Sequence, residues 1–311
     1  MPGSTPAGVA HEVVGRSESP SVTSGTTRGA DPHAPKRGGL DLLFIHHSVG
    51  GQLLADRGPL VPAERHCIHR THPNGGGLRT LLEAQGYVVH EASYSSVIGE
   101  RTDLLDWPDK FRRHMPRILR TACQNELMAE RRNAVVIFKS CYPNNRLESS
   151  AWRAALSGRT VLTLRQAKAA LLAVREELRK VPDVLFIYFT APPLNARAVA
   201  LWNRNRWLER LGAPAAEWRH QRGCVLAREL NDWVTSTQGW LAGYEGRNIS
   251  VFDYFGLLTG SGDRTANFLA FTNGTDDSHP SGAGQELAAR SFLPQLERAV
   301  RDSGVLAQRA A

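Results

Sequence analysis

The sequence predicts an open α/β fold in which a parallel sheet is covered by helices, and three observations predict it. From residue 39 onward short apolar runs alternate with helical patterns. The runs are continuously apolar, as in LLFI (42–45) and VLFIYF (184–189), so their strands are expected to be buried on both faces. Strands separated by helices imply parallel pairing through right-handed crossovers. Five strands are read in this way, within one domain over 39–311.

Taken in order, residues 1–38 are rich in Gly, Ser, Thr, Pro and Ala without apolar periodicity, which predicts a disordered tail. LDLLFIHH (40–47) reads as the first strand. GLRTLLEAQGY (77–87) reads as a short helix ending at Gly86, and YVVHEASY (87–94) as the second strand. FRRHMPRILRTA (111–122) places Phe111, Met115, Ile118, Leu119 and Ala122 on one helical face. NAVVIFKS (133–140) is the third strand. In 163–181, Leu171, Val174, Leu178 and Val181 share a helical face. DVLFIYFTAPP (183–193) is the fourth strand, stopped by Pro192 and Pro193. Helices follow around 197–211 and 224–236, then a fifth strand in NISVFDYFGLL (248–258). A closing helix over 281–300 is bent at Pro294.

The chain has 311 residues, 41% hydrophobic and 22% charged, an ordinary soluble composition. No apolar run approaches the roughly 20 residues of a membrane span, and no membrane partner is expected. The N-terminal residues show no signal-peptide pattern, which predicts a cytoplasmic location. The four cysteines, Cys67, Cys123, Cys141 and Cys224, are widely spaced without a CxxC pair, against a disulfide framework or a cysteine zinc site. The net charge of +8 brings nucleic acid into consideration. The arginines are scattered, however, and runs such as FRRHMPRILR (111–120) fit a solvated helix face. A small-molecule partner is therefore expected instead of nucleic acid.

Reactive side chains fall where strands end, the edge at which open α/β sheets bind ligands. Ser48 follows the first strand directly, and Gly50 and Gly51 allow close backbone approach there. Its own N–H is available to an oxyanion. In TDDSHPSGAG (275–284), Asp276 stands three residues before His279. Such an acid can accept the imidazole N–H, fix its tautomer and leave the other nitrogen facing a nucleophile. Singly, each feature has a plain structural use as a helix cap or loop residue. Together they are the parts of a Ser-His-Asp hydrolytic triad.

With these residues in view, the sequence resembles the SGNH, or GDSL-like, hydrolases. HHSVG (46–50) occupies the place of their Gly-Asp-Ser-Leu block after the first strand, and Asp276 and His279 match their final Asp-x-x-His block. The resemblance spans about residues 40–300. It implies a three-layer α/β/α sandwich, flavodoxin-like, with a five-stranded parallel sheet, and a serine esterase or deacylase acting on an acyl ester without cofactor. Ser48, His279 and Asp276 would be the triad, and the Ser48 N–H, Gly99 and Asn144 the oxyanion hole. Gly99 lies in SYSSVIGERTD (93–103) where the family has its second-block glycine. In FKSCYPNNRL (138–147), Lys139 or Ser140 stands where a glycine is expected, and Asn144 or Asn145 arrives late. His46 and His47 replace the family's Gly-Asp. An acyltransferase using the same triad, or a non-catalytic binding protein on this fold, are the alternative readings.

Other features have weaker chemistry. His66, Cys67, His69 and His72 lie in RHCIHRTH (65–72), but this spacing is not that of the common zinc motifs, and no metal is expected. Cys141 with His279 would be an alternative nucleophile pair, although a buried thiol fits Cys141 better. Trp202 and Arg206, within 197–211, are read as part of a lid or wall over an acyl pocket.

Overall fold

Asp41–Ile45 forms β1, and all five residues are buried: the apolar run Leu42–Ile45, and Asp41 through its contacts with His90 and Arg131. The computed structural model describes residues 39–63, 68–150, 162–197, 216–260, 262, 264–274 and 277–305, which lie within the unit Pro35–Ala311. The predicted tail, His66, Cys67, Asp276 and the lid residues Trp202 and Arg206 lie outside the described residues.

The sheet continues with β2 (Val88–Ala92), β3 (Thr121–Cys123), β4 (Glu126–Leu127), β5 (Val135–Lys139), β6 (Leu185–Phe189) and β7 (Ile249–Phe252). Its order is β7-β6-β5-β1-β2-β3-β4, seven strands and not the five expected. All neighbours pair in parallel except the terminal β3 and β4, which are antiparallel. The extra pair escapes pattern reading for a physical reason. Each strand has at most three residues, too few to display a period, and β3 starts directly where helix α3 (Trp107–Arg120) stops. The five long strands alone run 2-1-3-4-5, a common doubly wound order whose ligand crevice lies between the first and third strands.

Alternate residues of each long strand feed two cores. Leu43, Ile45, Val136, Phe138, Phe186 and Tyr188 pack with α3, α4 (Leu164–Leu178) and α5 (Ala216–Thr235). Leu42, Phe44, Ile137, Ile187 and Phe189 pack with α1 (Ser48–Leu54), α2 (Leu78–Ala84), α6 (Tyr254–Leu258) and α7 (Gly282–Ser303). Helices thus cover both faces, giving three layers. Full burial of each large apolar side chain contributes about 1.5–3 kcal/mol relative to exposure, which favours this arrangement for strands apolar on both faces. Of the predicted helical faces, Phe111, Ile118, Leu171, Val174 and Leu178 are all within 1% of fully buried and Met115 and Leu119 partly so, while Ala122 and Val181 lie beyond the helix ends, Ala122 in β3. Thr163 starts α4 with a reciprocal capping box to Gln166. Pro294 lies inside α7. No helix among the described residues is long and apolar enough to cross a membrane.

Candidate active site

His46 and His47 link the end of β1 to α1, and each has a structural task. The His46 ring is fully buried. Its Nδ1 lies 2.8 Å from the His47 carbonyl and its Nε2 3.0 Å from Glu91 Oε1 on β2. The other Glu91 oxygen accepts from Arg79 of α2. A Cβ on Gly50 would stand 2.4 Å from that of His46, so glycine is needed for α1 to close over the ring. His47 Nε2 donates to the Gly99 carbonyl at 2.7 Å, and its ring stacks on Tyr94 at 4.1 Å between centroids. Burial lowers the His47 pKa, opposed by the Gly99 carbonyl and assisted by the nearby Lys139, His46 and Lys110 side chains. The imidazole is therefore neutral at pH 7 and holds the turn.

This frame presents Ser48 at the first position of α1, at the crevice between β1 and β5. Its Oγ lies 2.9 Å from His279 Nε2, across 231 residues of sequence. His279 Nδ1 lies 2.6 Å from Asp277 Oδ1. A carboxylate only accepts, so Nδ1 carries the proton and Nε2 is left to accept from the Ser48 hydroxyl. Tyr142 packs its ring edge-on to His279 at 5.7 Å.

Asp276, the acid expected from the Asp-x-x-His spacing, lies outside the described residues. The carboxylate on the imidazole is its neighbour Asp277, two residues before His279. The local reason is an Asx-type turn: Asp277 Oδ1 also accepts the His279 backbone N–H at 2.9 Å. Burial alone would raise the Asp277 pKa, but the His279 N–H groups and charge, with Asn273, outweigh it and hold it below the usual value. The loop is seated by Asn195, whose Nδ2 donates to the carbonyls of Gly274 and Asp277 and whose N–H donates to Ser278 Oγ at 3.2 Å.

Two expected oxyanion donors are turned to other work. The Gly99 N–H closes a turn on Ser96, donating to its Oγ at 2.8 Å and its carbonyl at 3.2 Å. Glycine is required there by close approach: a Cβ would lie 2.1 Å from the Ser93 carbonyl oxygen. The Asn144 amide joins the turn after β5 to the 103–104 segment, accepting from Leu104 N–H and donating to Asp103 Oδ1, each at 2.7 Å. Asn145 donates to the Ala191 and Pro192 carbonyls. The Ser48 N–H instead points at the Tyr94 hydroxyl, 3.3 Å away.

The remaining candidates divide between packing and the rim. Lys139 is fully buried at the end of β5, where burial lowers its pKa, and it contacts the Ser140 carbonyl and Cys141 Sγ. Ser140 accepts from Trp107 Nε1. His69 and His72 pair at 4.7 Å on the strand His69–His72, and His72 Nδ1 accepts the Asn74 N–H. No group of three metal-ligating side chains suited to an ion occurs among the described residues.

Tyr94, Asp277 and Tyr142 are the site residues that sequence reasoning passed over. The Asp276-Asp277 doublet was the available signal for one of them. An aromatic within SYSSVIG, between strand and glycine, was the signal for another.

No protein-family model matches the chain, and no curated protein matches it. Solved structures similar to it at a distance include two enzymes. One is a carbohydrate esterase family 2 enzyme with a carbohydrate-binding domain from Corynascus thermopiles (Myceliophthora fergusii). It is 13% identical with a TM-score of 0.39, over 86% of this chain and 68% of that one. The other is the salicylyl-acyltransferase SsfX3 from a tetracycline biosynthetic pathway, 11% identical with a TM-score of 0.35, over 84% of this chain and 55% of that one. At these scores neither likeness bears on the chemistry, which rests on the site's own geometry.

Proposed function

We propose that this chain is a serine hydrolase of the SGNH type, cleaving an acyl ester through Ser48, His279 and Asp277. The observation that carries the reading is the continuous line of contacts from Ser48 Oγ to His279 Nε2 at 2.9 Å and from His279 Nδ1 to Asp277 at 2.6 Å. Three titratable or nucleophilic groups meet in the order that nucleophilic acyl transfer needs, at the crevice of a doubly wound sheet.

The chemistry follows from the tautomer. His279 Nε2 takes the hydroxyl proton as Ser48 Oγ bonds to the acyl carbon, and Asp277 stabilises the imidazolium that forms. The Ser48 N–H faces the developing oxyanion. Collapse breaks the bond from acyl carbon to alkoxy oxygen, and His279 delivers the proton to that leaving oxygen. Water, deprotonated by the same nitrogen, then attacks the acyl-serine and releases the acid. Each group returns to its starting protonation state.

Hydrolysis of a short-chain aryl ester tests the reading. Turnover by the wild type, reduced on the order of 10⁴-fold or more in both Ser48→Ala and His279→Ala, is the expected result. Equal turnover in wild type and Ser48→Ala would refute it.

A further inference from the structure

Tyr94 is a large aromatic residue, 43% exposed, poised beside the nucleophile. Its hydroxyl meets the Ser48 N–H at 3.3 Å, and its ring lies on the neutral His47 imidazole at 27° between planes.

The backbone that carries Tyr94 is held in an unusual way. Among the described residues, Ser95 (φ 66°) and Gln124 (φ 52°) are the non-glycine residues with left-handed backbone. Both serve this one loop. Gln124 accepts the Ser93 N–H at 2.9 Å and donates to the Tyr94 carbonyl at 3.3 Å. Asn125 accepts the Val97 N–H at 2.9 Å and donates to the Ser95 carbonyl at 3.2 Å. Glu100 accepts the Ser95 N–H. Two side-chain amides on the β3–β4 turn thus hold four backbone groups of the loop, at Ser93, Tyr94, Ser95 and Val97, as a neighbouring strand would. Strained backbone over-determined by its surroundings concentrates where a side chain must be aimed.

We infer that the Tyr94 hydroxyl is the second donor of the oxyanion site, beside the Ser48 N–H. The inference rests on the reading of Ser48 as nucleophile and supplies the donor that Gly99 and Asn144 do not. Oxyanion donors work at roughly 2.7–3.1 Å from the oxygen. With the hydroxyl 3.3 Å from the Ser48 nitrogen, one carbonyl oxygen can lie within that range of both after a small swing of the exposed ring. A phenol accepts and donates. At rest its oxygen accepts the Ser48 N–H; with substrate present, both groups donate to the oxyanion. No net proton moves, since Tyr94 keeps its hydrogen throughout. The stack on His47 and the amide clamp supply the preorganisation that makes such a donor effective.

Steady-state hydrolysis of an aryl ester by wild type, Tyr94→Phe and Ser48→Ala tests this. Tyr94→Phe keeps the ring stack and removes only the hydroxyl. The expected result is a fall in kcat of about 10–100-fold, KM within about threefold and an unchanged Tm. Affinity for a boronic-acid transition-state mimic should fall in parallel with kcat/KM, which a merely structural role would not produce. If Ser48→Ala is inactive while Tyr94→Phe keeps wild-type kcat, or exceeds it because the phenol merely blocks the site, the Tyr94 inference falls and the nucleophile stands. If Ser48→Ala turns over like the wild type, the nucleophile assignment fails and Tyr94 loses its role with it.

Discussion

Asp277 Oδ1 accepts two hydrogen bonds from His279, one from the ring at 2.6 Å and one from the backbone N–H at 2.9 Å. One oxygen therefore fixes both the rotation of the imidazole and the turn that carries it. Asp277→Asn should cost on the order of 10³–10⁴ in kcat, because an amide can present its N–H to Nδ1 and favour the wrong tautomer. Asp276→Asn should change kcat less than threefold. Paired kcat measurements check this, and the reverse ranking would move the acid back to Asp276.

The same pair sets an acid limb of stability. The Asp277 carboxyl is held below its usual value, so its contribution is present above the unfolded carboxylate pKa and is lost as pH falls through the folded one. Urea midpoints should therefore fall less between about pH 5 and pH 3 in Asp277→Asn than in wild type. Identical acid limbs would count against a structural role for the pair.

Lys110 predicts a slope of the same sign at alkaline pH. It is 6% exposed, donates to the Ile98 and Arg101 carbonyls and lies 4.7 Å above the Trp107 ring. Burial lowers its pKa to about 7, with Asp106 and then Asp103 and Glu100 opposing and Arg101 assisting. Above that pH the unfolded chain binds more protons at this position than the folded one, so stability rises with pH. Wild type should gain roughly 1–2 kcal/mol relative to Lys110→Met between about pH 7 and pH 9. Urea unfolding at the two pH values measures it; parallel curves would refute it.

Gly99 carries a steric prediction. A methyl group there meets Ser93 backbone atoms at 2.1 and 2.5 Å, which the chain must move to accommodate. Gly99→Ala should destabilise the fold by about 1–3 kcal/mol and lower kcat by displacing the loop that bears Tyr94. Chemical denaturation and ester kinetics on one preparation check both effects. Unchanged stability would mean that the loop is not packed as described.

Much of this molecule is legible in the sequence, and the illegible parts share a cause. The long strands and the buried faces of α3 and α4 follow from continuous or helical apolar spacing, which burial enforces directly. Ser48 and His279 were visible because each sits where chain direction changes beside an apolar run. The edge strands β3 and β4 are too short to carry a period. An Asp-Asp doublet has no internal register, and it is the turn geometry that sets Asp277 against His279 Nδ1. Gly99 and Asn144 were assigned by position in a motif, while their hydrogen bonds depend on Ser96, Asp103 and Leu104. His46 and His47, which replace the Gly-Asp of the resembling family, divide between a buried contact with Glu91 and a stack on Tyr94. Those partners lie 45 and 47 residues away, beyond any local pattern.

The central claim, that Ser48 is the activated nucleophile, is tested most directly by mapping the adduct formed with a fluorophosphonate. A single phosphonylated peptide containing Ser48 is the expected result, abolished in His279→Ala. Adduct on another residue, or none from a folded wild-type protein that hydrolyses esters, would contradict it.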